Sequence, residues 1–331
     1  MEIADLGNIY ASGNAFTTKA ALLQSIYRVK RKFPIGETTV IVADSLDEKG
    51  KPKKKKIRKE YGHIINEGES NNKNFYFQET FDYAHDRVKN KKPEETIKAD
   101  RLFNNLLSSM PLTFNLFHPL IMLLESNKSQ VNNIFSSLFP AYNIKEIEKI
   151  IIEFIPLPIS KYTNDKSAMD VAIFFEDNEG NNNIIAIEVK YTDSLGVNKA
   201  KENDLKSKVA IETGFFTKDG IDYISNGCNQ VYRNFLLTEK YRIVEKMTSS
   251  YSIVLAPQQH PTTTIEIDSL KKHFSEYCPK NKLEKYSLED FIRIISDNIP
   301  DKKYKDWINW FYDRYLDFDK VEEVYKELKQ K

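Results

Sequence analysis

The spacing of apolar and polar positions changes several times along the chain, and each change predicts an element. In "TKAALLQSIYRVKRKF" (18–33), Leu22, Leu23, Ile26 and Tyr27 recur at helical intervals, with basic residues on the other side. "ETTVIVADS" (37–45) has the β-branched content of a strand. The lysine-rich "KGKPKKKKIRKE" (49–60) then reads as a loop, followed by "YGHIIN" and the aromatic-rich "NFYFQETFDYAHDRV". "KNKKPEET" (89–96) is polar, contains a proline and reads as a linker. "ADRLFNNLLSSMPLTFNLFHPLIMLLES" (99–126) is long, apolar and mainly helical, with Pro111 and Pro119 starting or kinking its pieces, and "SQVNNIFSSLF" (129–139) continues as helix.

Further on, strand signals dominate. "EKIIIEFIPLP" (148–158) predicts a strand stopped by Pro156 and Pro158. "SAMDVAIFFED" (167–177) and "NIIAIEVKYT" (183–192) predict two strands joined by the polar turn "DNEGNNN". "ISNGCNQVYRNFLLTEKY" (224–241) reads as helix after Gly227, and "YSIVLAPQQ" (251–259) as strand. The tail is helical from Ser287, where Ser287 and Asp290 form a capping pair before "FIRII". Trp307, Trp310, Phe311 and Leu316 are its packing residues. No internal repeat is visible. Helices, strand, hairpin, helix, strand and helices in that order predict an α/β core with a mixed sheet.

Composition narrows the class. At 331 residues, 40% hydrophobic and 29% charged, the chain suits a soluble globular protein with a real core. No uncharged apolar run approaches the roughly 18 residues of a membrane span. The start "MEIADLGNIYASGN" lacks the basic-then-apolar order of a secretory signal, and Cys228 and Cys278 offer no disulfide framework. A cytoplasmic protein with free thiols is the expectation. A net charge of +1 excludes a global electrostatic pull on nucleic acid. The patch at 49–60 is therefore either a solvated loop or an arm that contacts phosphates, with an affinity that falls as salt rises.

Strand alternation directs attention to one place. Ile185, Ile187 and Val189 share one face; Ala186, Glu188 and Lys190 share the other. A turn centred on Glu179 sets Asp170 opposite Glu188, so two carboxylates and an ammonium meet at one end of a hairpin. Adjacent carboxylates repel unless a positive charge lies between them, and Mg²⁺, a hard cation that prefers oxygen ligands, fits that need. The layout suits metal-dependent phosphodiester hydrolysis, with Lys190 offsetting charge at phosphorus. An acid, any residue and Lys also occur at Asp47–Lys49, Asp204–Lys206, Asp301–Lys303 and Glu327–Lys329, but in polar stretches that read as solvated surface. Only Glu188–Lys190 closes an apolar strand with an acid facing it. The rival reading is a cross-strand surface salt bridge.

These residues resemble the PD-(D/E)XK nuclease superfamily, and Met169 takes the position of its proline. "SSMPLTFNLFHPL" (108–120), "IEFIPLP" (152–158), "YTNDKSAMDVAIFFED" (162–177), "IAIEVKYTD" (185–193) and "NQVYRNFLL" (229–237) extend the likeness to a restriction-endonuclease-like family over roughly residues 20–260. The resemblance implies a restriction-endonuclease-like core with a mixed central sheet flanked by helices. It divides the chain into an N-terminal extension (1–98), a nuclease core (99–260) and a C-terminal helical region (261–331). It implies Asp170, Glu188 and Val189 as metal ligands and Lys190 as the catalytic lysine, with Mg²⁺ as cofactor and Mn²⁺ as its substitute. Glu153 is either a further acid of the site or an edge-strand surface residue. Gln230 is either a site glutamine or a capping or buried amide. The implied activity is DNA endonuclease action in restriction or antiphage defence, with RNA left open because the triad acts on phosphate. The alternatives are a nucleic-acid-binding subunit that does not cut or that a partner activates, and an RNase or structure-specific nuclease of the same fold. Double-strand cutting needs two active sites, which a homodimer would supply, and a defence-system partner protein is compatible with the same reading.

Weaker signals lead elsewhere. His63, His85, His118, His260 and His273 show no zinc-ligand spacing. Ser108 and Ser109 lack a nucleophile elbow, and no phosphate-binding GxxxxGK[ST] loop occurs. Arg28, Arg101 and Arg233 are either phosphate contacts or solvated helix residues. "NFYFQETFDY" reads as core packing rather than as a stacking platform for bases.

Overall fold

In the computed structural model, residues 3–10, 14–46, 52–193, 195, 204–226 and 229–330 are described. The elements are α1 (Ala15–Lys30), β1 (Ile35–Leu46), β2 (Pro52–Ile65), α2 (Gln78–Lys89), α3 (Ala99–Asn104), α4 (Ser109–Ser126), α5 (Lys128–Leu138) and β3 (Ile144–Phe154). There follow β4 (Met169–Asp177), β5 (Asn182–Val189), α6 (Asp204–Thr213), α7 (Lys218–Ser225), α8 (Gln230–Val244), β6 (Ser249–Ala256) and α9 (Thr263–Lys271). The chain closes with β7 (Leu283–Ser287), α10 (Leu288–Asn298), α11 (Lys302–Tyr315) and α12 (Glu322–Gln330).

The β4–β5 turn fixes the hairpin register. Asp177 Oδ1 accepts from the backbone N–H groups of Glu179 (3.0 Å) and Asn181 (2.9 Å), and Gly180 takes φ +82°, where glycine meets no steric cost. Val171 then pairs with Ile187 and Glu176 with Asn182, as the turn centre predicts. The central sheet has the order β3-β4-β5-β6-β7. The β3–β4 and β4–β5 pairs are antiparallel; β5–β6 and β6–β7 are parallel. The mixed α/β sheet is the one expected. β7 escapes the sequence pattern because it is a short edge strand, "LEKYS", without apolar alternation.

The lysine-rich stretch departs from its expectation. Residues 52–65 form a strand, not a loop, paired along its length with β1 in a separate two-stranded sheet. Lysine disfavours strands only weakly, and β1 supplies the β-branched cross-strand partners, Val40 for Ile57, Ile41 for Lys56 and Val42 for Lys55. Residues 49–51 and Cys228 lie outside the described residues. The other expectations fare better. Pro111 falls in the first turn of α4, where its missing N–H costs nothing, whereas Pro119 sits inside that helix. Ser287 caps α10 by accepting from the Asp290 N–H.

Both sheet faces are covered. On one, Ile173, Ile185, Ile187 and Val189 join a cluster that also holds Leu22, Phe114, Phe135, Trp307, Phe311 and Val321. On the other, Ala172, Phe174 and Ala186 pack with Leu237 of α8. Just beyond β5, the buried Tyr191 hydroxyl accepts from Gln24 Nε2 of α1 (3.1 Å) and donates to the Tyr315 carbonyl of α11 (3.1 Å). No described helix is long and apolar enough to cross a membrane.

Candidate active site

The ends of β3, β4 and β5 bring the charged groups together. Asp170 lies one residue beyond the last β4–β5 pair, and its Oδ2 accepts from the Val189 N–H at 2.8 Å. Glu188 and Lys190 lie on the Ala186 face, opposite Ile187 and Val189, as alternation requires. Lys190 Nζ is 2.5 Å from Glu188 Oε1, with the two residues 5% and 4% exposed, so this pair is no surface salt bridge. Val189 is fully buried, so only its main-chain carbonyl is a candidate ligand.

Glu153 is not a surface residue. Ile152 pairs with Val171 and Phe154 with Met169, which sets Glu153 beside Asp170 in the sheet. It is buried, and its φ of 52° lies in the left-handed region that non-glycine residues rarely adopt. Gln230, the first residue of α8, bonds the charged pair and is not the cap. Its Oε1 accepts from Lys190 Nζ (3.0 Å) and its Nε2 donates to Glu188 Oε1 (2.5 Å), while the cap is Asn229. Sequence reading missed Asn234, whose Nδ2 donates to Glu188 Oε2. The available signal was its position one helical turn after Gln230, on the same face.

The electrostatics follow from this crowding. Burial raises the Asp170 carboxyl well above its usual range, and the charges of Glu188 and Glu153 add to the effect. Burial, and then Glu188, pushes Glu153 up to about 7 against the pull of Arg87 and Arg101. Burial alone would lower Lys190, but Glu188 and Asp170 hold its ammonium above the usual range.

These groups face a cleft of about 570 Å³ whose walls include Arg101, Lys206 and Arg233. Arg101 bonds Asp193 Oδ2 (2.6 Å) and Ser108 Oγ (2.7 Å). Lys206, read from sequence as solvated surface, is buried and lies 2.9 Å from Asp165 Oδ2. Arg233 Nε is buried with no hydrogen-bond partner, an unmet donor at the cleft wall. Arg28 plays no part here. It is buried against the carbonyls of Gly62 (2.8 Å) and Phe33 (3.2 Å). Phe75, Phe77 and Phe81 pack in the core, as expected of the aromatic stretch.

Comparison with known families decides the relationship: the model of the PD-(D/E)XK nuclease superfamily matches residues 11–317. The chain belongs to this superfamily. No curated protein and no solved structure matches the chain. The family match runs past the 20–260 stretch in which motifs are legible and takes in α10 and α11. The five-stranded mixed sheet flanked by helices agrees with the restriction-endonuclease-like fold of PD-(D/E)XK proteins.

PD-(D/E)XK nucleases generally use divalent metal ions. No group of three or more His, Cys, Asp or Glu side chains is arranged as a metal cage among the described residues. The chemistry of the donors nevertheless fits a hard cation. Asp170 and Glu188 are oxygen donors whose mutual repulsion a divalent ion would relieve, and such ions commonly keep several waters and take only one or two protein carboxylates.

Proposed function

We propose that this chain is a Mg²⁺-dependent DNA endonuclease, with Mn²⁺ able to substitute, and that it hydrolyses phosphodiester bonds by direct attack of water. The observation that carries the reading is the convergence of Asp170, Glu188 and Lys190 on a cleft that also presents Arg101 and Arg233. Asp170 and Glu188, with the Val189 carbonyl, would hold the ion. When bound, the ion supplies Lewis acidity to the scissile phosphate and to the attacking water. Lys190 stays protonated beside Glu188 and offsets the charge that builds on the phosphate oxygens. Gln230 and Asn234 hold both oxygens of Glu188, so the carboxylate keeps one orientation. Arg233, on the cleft wall, supplies positive charge for the phosphates of the bound strand. No protein nucleophile is required, so no covalent intermediate forms.

Plasmid cleavage with Mg²⁺, Mn²⁺, Ca²⁺ or EDTA tests this reading. Wild-type protein nicks or linearises DNA with Mg²⁺ or Mn²⁺, and Lys190→Ala lowers the rate by about 10²–10³-fold. Asp170→Ala abolishes cutting while circular dichroism shows a folded chain. Variants that cut like wild type would sink the site assignment, and an inert wild type on every DNA form would sink the activity.

A further inference from the structure

We propose that the β1–β2 ribbon is a duplex-DNA-binding element that enters the major groove beside the candidate active site. Only the position of the cut relative to the ribbon rests on the nuclease reading; the binding surface is argued from the ribbon itself.

The two strands form their own sheet and join no strand of the central one. Alternation gives two faces. Thr38, Val40, Val42, Lys55, Ile57 and Lys59 share one, while Thr39, Ile41, Lys56 and Arg58 share the other. Lys54, Lys55, Lys56, Arg58 and Lys59 are all exposed, and Ile41 is 62% exposed. A two-stranded ribbon open on both faces is marginal by itself in water. The root packs on the body, where His63, Ile64 and Ile65 are buried, but none of residues 37–42 and 54–60 is buried, so this outer part covers no core.

The charge has a direction. Glu37 and Glu60 pair near the root, where Glu37 also neutralises Arg58 (3.1 Å). Further out, Lys55 and Lys56 face Val42 and Ile41, so one edge is cationic and the other aliphatic. That is the composition for a groove. Lysines reach phosphates, and a branched aliphatic side chain meets a thymine methyl group on the groove floor.

The same features choose among nucleic acids. The B-form major groove, about 12 Å wide, admits a two-stranded ribbon, whereas the A-form groove of duplex RNA is too narrow and deep. Single strands are held on aromatic platforms, and residues 37–60 contain no aromatic side chain. The root is also well placed. Ile64 bridges to Asn105, and the Leu106 N–H donates to the His63 carbonyl at 3.0 Å. Residues 105 and 106 connect α3 to α4, which supply Arg101 and Ser109 to the cleft.

The test is fluorescence anisotropy in EDTA, where nothing is cut. The probes are a DNA duplex, its single strand and the matching RNA duplex, each over 50–200 mM salt. The proteins are the full chain and its Lys54→Ala/Lys55→Ala/Lys56→Ala variant, with Ile41→Glu as a second variant. Wild type binds the DNA duplex most tightly. Removing three phosphate contacts lowers the log–log salt slope by about 2.7, which flattens the change in affinity across that range by about 40-fold. Ile41→Glu weakens duplex binding with the fold retained by circular dichroism. Wild-type affinity and salt slope in the triple variant would overturn the proposal, as would equal binding of the RNA duplex or single strand. The two readings fail separately. A wild type that binds duplex through the ribbon but never cuts with Mg²⁺ overturns only the nuclease assignment. One that cuts while the triple variant binds unchanged overturns only the ribbon.

Discussion

On the proposed function, Asn234 is a positioning residue that acts through Glu188. It donates to the Glu188 oxygen that Lys190 and Gln230 leave open. Asn234→Ala is expected to move the Mg²⁺ titration midpoint for cleavage upward by about 10–100-fold, with melting temperature little changed, whereas a purely structural role would move the melting temperature alone. A second residue, His63, makes a stability prediction. It is buried without a partner at Nδ1, and burial lowers its pKa from 6.5 to about 4. Between those values the unfolded chain carries a proton that the folded chain refuses, so stability falls as pH falls through that window. His63→Phe keeps the stack on Tyr61 and removes the titration. Wild type should lose about 3 kcal/mol relative to this variant from pH 7 to pH 4, read from denaturant melts. Glu153, raised to about 7, acts in the opposite sense in both proteins and cancels in the difference. At this scale the sequence was informative where geometry is local. Asp170, Glu188 and Lys190 follow from alternation and one turn, but the burial of Glu153 and Lys206 depends on chain brought in from elsewhere.

At the scale of elements, β2 was the main misreading, because hydrophobic periodicity identifies only strands that bury a face. A ribbon solvated on both sides leaves no such trace, and the pairing that makes it a strand belongs to β1 as much as to β2. Its root is nonetheless closely packed. A Cβ on Gly62 would lie 1.9 Å from the Leu6 carbonyl oxygen and 2.3 Å from Ser25 Oγ, and the Gly62 carbonyl accepts from Arg28 Nε. Gly62→Ala should therefore destabilise the chain by about 2–3 kcal/mol in urea unfolding, because backbone must move to admit the methyl group. The hairpin is the contrasting case, since Asp177 and Gly180 announce their turn in sequence and the register follows.

Across the whole molecule, α1 and α11 share one interior. Arg314 is fully buried, donates to the Asn74 carbonyl at 2.7 Å and lies over the rings of Tyr27 and Tyr315. The side chains of Trp307, Phe311 and Tyr315 belong to the same cluster as Ile173 and Val189. A chain ended at residue 260 should not fold to a native state, and it should show neither a cooperative thermal transition nor a compact elution volume. Such interlocking was illegible beforehand, because amphipathic spacing reports that a helix has a partner face but not which face it meets. The Tyr191 contacts carry a consequence for the order of synthesis. The hydroxyl next to Lys190 is held by a residue 167 positions earlier and by one 124 positions later. At roughly 5–20 residues per second, translation delivers Gln24 well before Tyr191 and Tyr315 roughly 6–25 s after it. The nascent chain thus carries its acids and its lysine for that interval with one brace missing, and the segment after β5 is fully secured only once Tyr315 has been made.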